Sequence, residues 1–466
     1  MSNNNDHDFA LTSVAESQKR GFWSMFVIMM GFTFFSASMW AGGNLGAGLS
    51  LKQFIIAVTV GNLILGVYTS LLALMSARTG LSVHLLSRYS FGSYGSFIPS
   101  SALAFTQIGW FGVGVAMFAI PTAIALNDLP CLQGTWILGG ETVRIAFDKV
   151  DLPARLLYII VLASGLIMTS TAYWGIKALS IISIIAVPSI AVLGCYSAYC
   201  AMFVDKVDAI TAAGVANGWE LMKSYTPEAS MQLTMAAAIS IAIGSFISGG
   251  SCTPDFARFS RNSKIAVSTT ALAFFIGNSL MFFFGAAGAM VWGISDISIV
   301  LKAQGLLGAA IIVLGLNIWT TNDNALYTSG LGLSNITKLP KKYLVLVNGI
   351  IGTLAAIWLY DNFCGWLNIL NTFLPPVGAL LITDFFIINR GKYKPYGEHG
   401  FAKVNVGAVI AWALGSLVGL MGFGYVNIPC VGEWCKMGLP AINAMLTTLV
   451  VYVIAKSITA KSSANK

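Results

Sequence analysis

The stretch Gly31–Gly48, with the sequence GFTFFSASMWAGGNLGAG, decides how the rest of the chain is interpreted. It is apolar enough for a membrane span, yet glycine, serine and asparagine crowd it where an ordinary membrane anchor would be rich in leucine. Such residues interrupt a helix inside a membrane only where protein or a water-lined cavity satisfies the freed backbone groups. The stretch therefore predicts a broken span beside a polar cavity.

A second stretch of the same kind, GSFISGGSCTPDF, covers residues 244–256. Gly249, Gly250 and Pro254 disfavour a continuous helix there. The two stretches fall in the first and sixth apolar blocks, and two interrupted spans at corresponding places indicate the binding site of a transporter built from inverted repeats. Close packing of small residues between helices is the alternative explanation of the same composition.

The composition places the whole chain in a membrane. Hydrophobic residues make up 56% of it and charged residues 9%, whereas about 25% of an ordinary soluble domain is charged. The apolar residues form blocks of roughly the 20 residues that a helix needs to cross the hydrocarbon core, and the short alternating segments of a β-barrel are missing. The predicted spans cover 22–49, 53–75, 97–126, 154–174, 178–204, 231–250, 265–292, 303–332, 343–360, 363–388, 404–425 and 438–456.

Lysine and arginine set the predicted orientation. With the N-terminus in the cytoplasm, eighteen of the 26 basic residues fall in cytoplasmic segments and eight on the opposite side, as the positive-inside rule requires. The net charge of +8 is thereby explained by membrane topology, and nucleic acid is not an expected partner. Both termini are predicted to be cytoplasmic.

The eighth block, LNIWTTNDNALYTSG, is unusually polar. Thr320 and Thr321 are adjacent, so they lie about 100° apart on a helix and can face the same wedge between helices. Their hydroxyls and the freed carbonyls of a broken helix would form an oxygen cage without formal charge, which suits a hard cation such as Na⁺. Asp323 is either a functional ionisable group inside the membrane or a partner for a neighbouring helix end.

In the third block, Gln107 and Trp110 are three residues apart and share one helical face. An amide and a large flat ring offer a planar heterocycle hydrogen bonds at its edge and stacking on its face. Core packing explains most membrane tryptophans, so this pair alone decides nothing.

Motifs of soluble enzymes and of ATP-driven pumps are missing from the sequence. It contains no GxxxxGK[ST] loop and no HExxH motif, and all three histidines fall outside the predicted spans. A transporter is therefore favoured over an enzyme, and saturable counterflow would distinguish it from a channel or a receptor.

Several segments together resemble the nucleobase:cation symporter family 1, and in particular its bacterial cytosine permease branch. They are FTFFSASMW, GNLILGVYTS, GWFGVGVAMFAIP, GSFIS, GNSLMFFFGAAGA, LGLNIWTTNDNALY and NGIIGT, in this order. The resemblance implies an all-α membrane protein of about twelve helices with a five-plus-five inverted-repeat transporter fold, in which helices 1 and 6 are interrupted. The implied organisation is a cytoplasmic tail 1–20, a first repeat 21–204, an outside loop 205–230, a second repeat 231–390, and a C-terminal part 391–466 with helices 11 and 12 and a cytoplasmic tail.

The resemblance also implies where ligands bind. The cation would be held by the carbonyls of Gly31, Phe34 and Asn317 and by the hydroxyls of Thr320 and Thr321. The base would stack on Trp110 and Phe246, and its edge would meet Gln107, Ser245, Asn322 and the backbone of Phe35, Ser36 and Ala37.

The function implied by the resemblance is import of cytosine with a cation, Na⁺ being favoured, across the inner membrane of a bacterium by a monomer embedded in the lipid bilayer. No other cofactor is expected. The alternatives are a purine, allantoin or a hydantoin as substrate, and H⁺ as the coupling ion with Asp323 or Asp384 as its carrier. Cys430 and Cys435 lie in one outside loop and would pair if that side is oxidising.

Overall fold

The computed structural model describes residues 9, 12–132, 135, 143–147, 150–174, 177–398, 400–429 and 431–464. Eight of its helices are long and apolar enough to cross a membrane, and a pair of helices bent by 50° forms a ninth span. Two apolar helices of 17 residues and a more polar helix of 31 residues bring the spans in this described part of the chain to twelve. The predicted number of spans is confirmed.

The spans are numbered here in chain order. Their bounds are Phe22–Thr33 with Ser36–Gly48 (span 1), Leu51–Thr79 (2), Phe97–Asn127 (3), Ala154–Trp174 (4), Lys177–Tyr199 (5), Met235–Ser251 with Thr253–Ala257 (6), Ser263–Leu272 with Asn278–Trp292 (7), Leu307–Thr337 (8), Lys341–Asp361 (9), Phe363–Ile382 (10), Val406–Gly422 (11) and Pro440–Ala464 (12). Wide turns of π-helix, Cys200–Val204, Ala273–Gly277 and Thr383–Ile388, extend span 5, join the halves of span 7 and extend span 10.

Short elements lie between the spans. Helices occupy Val83–Phe91, Asp208–Ala212, Gly218–Ser224, Ile297–Ala303 and Val431–Lys436, and single 3₁₀ turns occupy Glu16–Gln18, Pro130–Leu132 and Tyr396–Glu398. An antiparallel hairpin pairs Arg144–Phe147 with Val150–Pro153. Cys430 is outside the described residues, so its pairing with Cys435 stays a prediction.

Span 1 is broken at two residues, as the sequence predicts. Phe34 has φ −77° and ψ 79°, and Phe35 has extended backbone with φ −123° and ψ 132°. Phe22–Thr33, named the inner half after the predicted topology, and Ser36–Gly48, named the outer half in the same way, meet at an angle of 50°. The chain thus exposes backbone polar groups near the middle of the span, where they need partners.

Span 6 is interrupted within the stretch 244–256, as the sequence predicts. The helix runs through Gly249 and Gly250 to Ser251 and is interrupted at Cys252, between Gly250 and Pro254. The two glycines allow close packing instead: a Cβ atom on Gly250 would lie 2.9 Å from the Thr69 Cγ2 of span 2, and one on Gly249 would lie 2.7 Å from the Phe246 ring. The predicted interruption of span 6 is confirmed, and it lies two residues after Gly250 and two before Pro254.

The outer half of span 1 packs against span 7 with almost no side chain between the two backbones. A Cβ atom on Gly42 would lie 2.1 Å from the Phe282 carbonyl oxygen, and one on Gly285 would lie 1.7 Å from the Met39 carbonyl oxygen. Small residues are what allow membrane helices to approach this closely. The outer half and span 7 therefore behave as one packed unit.

Aromatic rings cover the outer half of span 1 on another side. Trp40 stacks between Tyr360 of span 9 and Phe363 of span 10, with centroid separations of 4.3 Å and 4.2 Å. The Tyr360 hydroxyl donates a hydrogen bond to the Asp296 carboxylate. These contacts join the outer half of span 1 to the junction of spans 9 and 10.

The N-terminal segment connects the C-terminal ends of spans 2 and 6. The N–H of Val14 donates to the Gly80 carbonyl at 3.0 Å, and the N–H of Arg20 donates to the Phe259 carbonyl at 2.7 Å. Arg258, which is fully buried, donates from Nη1 to the Phe9 carbonyl at 2.8 Å. The segment closes this side of the molecule, which is cytoplasmic in the predicted topology.

We expect Gly285→Ala to destabilise the folded protein. The added methyl group has no space against span 1, and overpacking of this kind costs about 1–3 kcal/mol. Thermal unfolding of the purified protein in detergent should show a melting temperature several degrees lower. Gly66→Ala in span 2 is the matched control, because nothing lies within 4 Å of a Cβ atom there; equal melting temperatures for the two variants would contradict the close packing.

Candidate substrate and cation site

One side chain of span 8 holds the break in span 1. The Asn317 amide oxygen accepts a hydrogen bond from the N–H of Ser36 at 3.2 Å, and its Nδ2 donates to the Phe34 carbonyl. Asn317 is fully buried. Backbone groups freed by the break thus find partners inside the protein. The sequence predicted a role for the Asn317 carbonyl but not for its side chain.

The predicted cation ligands of span 8 gather at the same residue. The hydroxyls of Thr320 and Thr321 donate to the Asn317 carbonyl at 2.9 Å and 3.0 Å. On span 1, the Phe34 carbonyl contacts the Asn317 amide. The two elements therefore bring four of the five predicted ligand oxygens around Asn317.

The fifth predicted ligand, the carbonyl of Gly31, lies one turn before the break. In a continuous helix it would accept the N–H of Phe35, but that N–H donates to the Thr33 carbonyl at 2.9 Å. The break therefore frees the Gly31 carbonyl from its helical partner. A Cβ atom on Gly31 would lie 3.1 Å from Val187 Cγ2 of span 5, so span 5 packs closely at this point.

The donor set fits a hard monovalent cation. It consists of three backbone carbonyls and two hydroxyls, all neutral oxygens, which suit Na⁺ better than a soft metal ion. In the described part of the chain, no group of three or more histidine, cysteine, aspartate or glutamate side chains could hold a metal ion. A transition-metal centre has no ligand set among these residues.

A small cavity of about 30 Å³ lies beside the break. It is lined by Phe32, Phe35, Gln107, Trp110, Ser245, Phe246, Gly249, Cys252, Thr321, Asn322, Asn324, Ala325 and Thr328, from spans 1, 3, 6 and 8. The lining includes six predicted substrate residues, together with Thr321 of the predicted cation set. An apolar cavity that holds benzene measures about 150 Å³, so a planar base enters only if these side chains move apart.

The amide of Gln107 is oriented by span 6. Its Nε2 donates to Ser248 Oγ at 2.8 Å, and Ser248 Oγ donates in turn to Thr106 Oγ1 at 3.0 Å. Cys252 Sγ lies 3.6 Å from the same nitrogen. The amide oxygen of Gln107 has no hydrogen bond to any described residue, so the side chain presents an acceptor.

The two aromatic residues predicted to sandwich the base are each fixed by ring contacts. Trp110 makes a T-shaped contact with Phe35 at 5.7 Å between centroids. Phe246 makes T-shaped contacts with Phe32 and Phe274, both at 5.2 Å. Rings held in this way lose little further freedom when they bind a flat ligand, which favours binding.

Asn322 and Ser245 line the cavity, and the Asn322 Nδ2 and the Ser245 hydroxyl are engaged elsewhere, whereas the Asn322 Oδ1 is buried without a hydrogen-bond partner among the described residues. Asn322 Nδ2 donates to the Phe111 carbonyl at 3.2 Å, and a Cβ atom on Gly114 would lie 2.1 Å from its Oδ1. Ser245 Oγ donates to the Ala242 carbonyl of its own helix at 2.9 Å. Ser36 and Ala37 are at the start of the outer half of span 1, outside the cavity lining.

The two candidate proton carriers, Asp323 and Asp384, do not line the cavity. The Asp323 carboxylate accepts from the Thr171 hydroxyl of span 4 at 3.1 Å. The Asp384 carboxylate accepts from the Tyr393 and Tyr452 hydroxyls, both at 2.6 Å. Each joins its helix to another element, as the structural alternative for Asp323 predicts.

Sequence reasoning missed Ser248, Cys252 and Phe32 as neighbours of the site. Ser248 follows the predicted Ser245 by three residues, so the helical period places it on the same face of span 6. Cys252 lies at the interruption of the helix, a position that no sequence pattern marks as part of a site. Phe32 belongs to the inner half of span 1, just before the break.

A twelve-span helical bundle with a broken first span, beside a small cavity lined by aromatic rings and a few polar side chains, is the architecture of a membrane transporter. The family described as permease for cytosine/purines, uracil, thiamine, allantoin matches residues 13–437, and the chain belongs to it. This confirms the resemblance to the nucleobase:cation symporter family 1. It also confirms that the chain is a permease and not an enzyme.

Individual relatives agree with this assignment. The cytosine permease of Escherichia coli (strain K12) is 45% identical over 97% of this chain and 99% of its own length. Mhp1, a nucleobase-cation-symport-1 family transporter in a closed conformation with bromovinylhydantoin bound, is similar with a TM-score of 0.74 and 20% identity, over 98% of this chain and 96% of that one. The inward facing conformation of Mhp1 also gives 0.74, at 18% identity over 99% and 95% of the two chains. The five-plus-five inverted-repeat fold is thereby confirmed.

We expect Cys252 to report occupancy of the cavity. Its sulfur is buried beside Gln107, so a small thiol reagent such as methyl methanethiosulfonate reaches it only when the cavity opens. The reagent should inhibit uptake, a saturating nucleobase such as cytosine should slow the inhibition severalfold, and Cys252→Ala should be insensitive. If cytosine is transported but leaves the rate of Cys252 modification unchanged, the cavity is not the substrate site.

Proposed function

We propose that the chain imports cytosine together with Na⁺ by alternating access. The observation that supports cytosine as the substrate is the 45% identity to the Escherichia coli cytosine permease over nearly the whole of both chains. A bacterial inner membrane with both termini in the cytoplasm is the setting that agrees with this relative and with the charge asymmetry of the loops. The transporter works as a monomer in this proposal.

Cytosine is recognised by its edge and by its faces. The free amide oxygen of Gln107 accepts a hydrogen bond from the exocyclic amine, while Trp110 and Phe246 contact the two faces of the ring. Uracil carries a carbonyl where cytosine carries the amine, so two acceptors would meet. A buried acceptor left unpaired costs about 1–3 kcal/mol, which favours cytosine over uracil.

The start of the outer half of span 1 supplies a donor for the base. The N–H of Ser36 is engaged by Asn317 and that of Ser38 by the Phe35 carbonyl. The N–H of Ala37 lies in the same first turn, where N–H groups have no helical acceptor. It donates to the ring carbonyl of cytosine.

Na⁺ binds between spans 1 and 8 and couples to the base through the break. The carbonyls of Gly31, Phe34 and Asn317 and the hydroxyls of Thr320 and Thr321 are its ligands. A cation here stabilises the conformation of Phe34 and Phe35 in which the latter contacts Trp110. The cation must favour this binding-competent state, because equal affinity for both states would shift nothing.

The electrochemical gradient supports accumulation of the base. Cytosine is neutral at pH 7, so one Na⁺ moves one net charge, which supplies about 2.3 kcal/mol at 100 mV. A tenfold sodium gradient adds about 1.4 kcal/mol. The sum, about 3.7 kcal/mol, corresponds to accumulation of several hundredfold.

We expect Thr321→Ala to weaken the sodium dependence of uptake. The variant removes one cation ligand, and the sodium concentration for half-maximal cytosine uptake should rise at least tenfold, since a hydrogen-bonding group to a charged species contributes about 1.5–3 kcal/mol. Thr337→Ala is the matched control, because Thr337 is at the exposed end of the same helix and makes the same type of bond to Leu333 at 2.9 Å. Unchanged sodium activation in Thr321→Ala would rule out this cation site.

We expect Gln107→Leu to impair recognition of the base while leaving the sodium dependence in place. Loss of the acceptor should raise the KM for cytosine by about fivefold to a hundredfold, the range that corresponds to 1–3 kcal/mol. Competition of labelled cytosine uptake by unlabelled cytosine and uracil measures the effect. If the variant still prefers cytosine over uracil to the same degree, Gln107 does not read the exocyclic amine.

The alternative is a symporter of another nucleobase or related heterocycle, with Na⁺ or H⁺ as the coupling ion. The solved relative with bromovinylhydantoin bound is the observation that favours it. Cytosine uptake into vesicles, with sodium and pH gradients imposed separately and with hydantoins, allantoin and purines as competitors, distinguishes the two. Uptake driven by a pH gradient alone would assign coupling to H⁺.

A further inference from the structure

A second cavity, of about 610 Å³, opens at the end of span 2. Its wall is formed by the end of that span, by the short helix Val83–Phe91 and by the segment 391–396 that follows span 10. Ser13 of the N-terminal segment closes one side. It shares no lining residue with the central cavity, so it is a separate site.

This cavity carries three cations and no carboxylate. Arg78, Lys392 and Lys394 line it, and none of its twelve lining residues is acidic. In the described part of the chain none of the three forms an ion pair, and Arg78 donates from Nη1 to the Gly391 carbonyl at 3.2 Å. Like charges gathered around one concave surface create a positive potential that concentrates anions.

Tyrosine rings complete the wall without cancelling this charge. Tyr89 and Tyr393 stack with a centroid separation of 4.1 Å and an interplanar angle of 6°. Burial raises the pKa of Tyr89 to about 12, so its phenol is neutral at pH 7. The Tyr89 hydroxyl donates to the Lys394 carbonyl at 2.8 Å, which fixes the segment that carries the lysines.

The carboxylate behind this wall is already fully engaged. Asp384 is buried and does not line the cavity. Its two oxygens accept from the Tyr393 and Tyr452 hydroxyls at 2.6 Å each, and Asn389 Nδ2 lies 3.3 Å from one of them. It therefore holds Tyr393 in place and leaves the three cations available to a ligand.

We propose that this cavity binds the phosphate group of an anionic ligand. Arg78 makes paired hydrogen bonds to the phosphate oxygens, and Lys392 and Lys394 act as point charges around them. The volume exceeds that of a phosphate alone, so part of the attached molecule is enclosed against the tyrosine rings. The headgroup of an anionic lipid and a soluble phosphate ester share this chemistry.

The ligand would join two parts of the molecule. Arg78 ends span 2, which packs on spans 6 and 7, whereas the two lysines follow span 10. Spans 2 and 10 also contact each other where Tyr68 packs on Gly378. At the cavity, Arg78 contacts the segment after span 10 through its bond to Gly391, where φ is +76° and a Cβ atom would lie 2.9 Å from Arg78 Nη1. A bound phosphate adds a further connection there and favours the conformation in which both ends are together.

The test is the thermal stability of the purified full chain in a neutral maltoside detergent. We expect dihexanoyl phosphatidylglycerol to raise the melting temperature in a saturable way and dihexanoyl phosphatidylcholine to leave it unchanged. Glycerol 3-phosphate tests the soluble source: an equal rise with it assigns a soluble phosphate ester, and a rise with phosphatidylglycerol alone assigns a lipid. No rise with either phosphate compound would overturn the proposal.

Variants distinguish this cavity from general surface charge. The double variant Lys392→Gln, Lys394→Gln should raise the half-saturating concentration about 30-fold, because each basic residue contributes about 1 kcal/mol near an anionic headgroup. Lys264→Gln is the control, since Lys264 is an exposed lysine in the same predicted compartment but outside the cavity. An unchanged half-saturating concentration in the double variant, or an equal change in the control, would also overturn the proposal. The melting temperature is measured without transport, so the result does not depend on which substrate the protein transports.

Discussion

The hydrogen bonds from Asn317 to the broken backbone of span 1 are the interaction on which the rest of the site depends. Inside a membrane no water is available to satisfy the groups that a break exposes, and this amide offers both a donor and an acceptor to them. The carbonyl of the same residue accepts from Thr320 and Thr321. One residue of span 8 therefore connects the break, the candidate cation ligands and, through Phe35, the ring of Trp110.

The packing around the break divides the surroundings of span 1 into two groups. Its outer half lies against span 7 through glycine contacts that leave no room for a methyl group. The break itself is held by Asn317 of span 8. The ring of Trp40 stacks on aromatic residues of spans 9 and 10. A transporter that works by alternating access needs two bodies that move relative to each other around a fixed site, and in the proposed mechanism these contacts would lie along the boundary between them.

Much of this arrangement could be predicted from sequence, because local composition and helical period carry it. The apolar blocks predict the spans, and the small residues of span 1 predict its break. The spacing of Gln107 and Trp110 predicts that they share one face of span 3. The interruption of span 6 falls between Gly250 and Pro254, but the sequence alone does not reveal that Gly250 makes room for Thr69 of span 2 and does not itself end the helix. The Asn317 side chain bonds residues 281 positions away, and the linkage of Gln107 to Ser248 crosses 141 positions, so no local pattern indicates either contact.

The outer half of span 1 acts as a lever. It has 13 residues, and at about 1.5 Å per residue it is roughly 20 Å long. A rotation of about 10° at Phe34 and Phe35 would carry its far end through roughly 3.5 Å, which is of the order of one ring thickness. Since the glycine contacts contain no compressible side chain, span 7 would follow this movement with little loss. A small adjustment of backbone angles next to the candidate cation ligands would thereby become a much larger displacement at the Gly48 end of this helix.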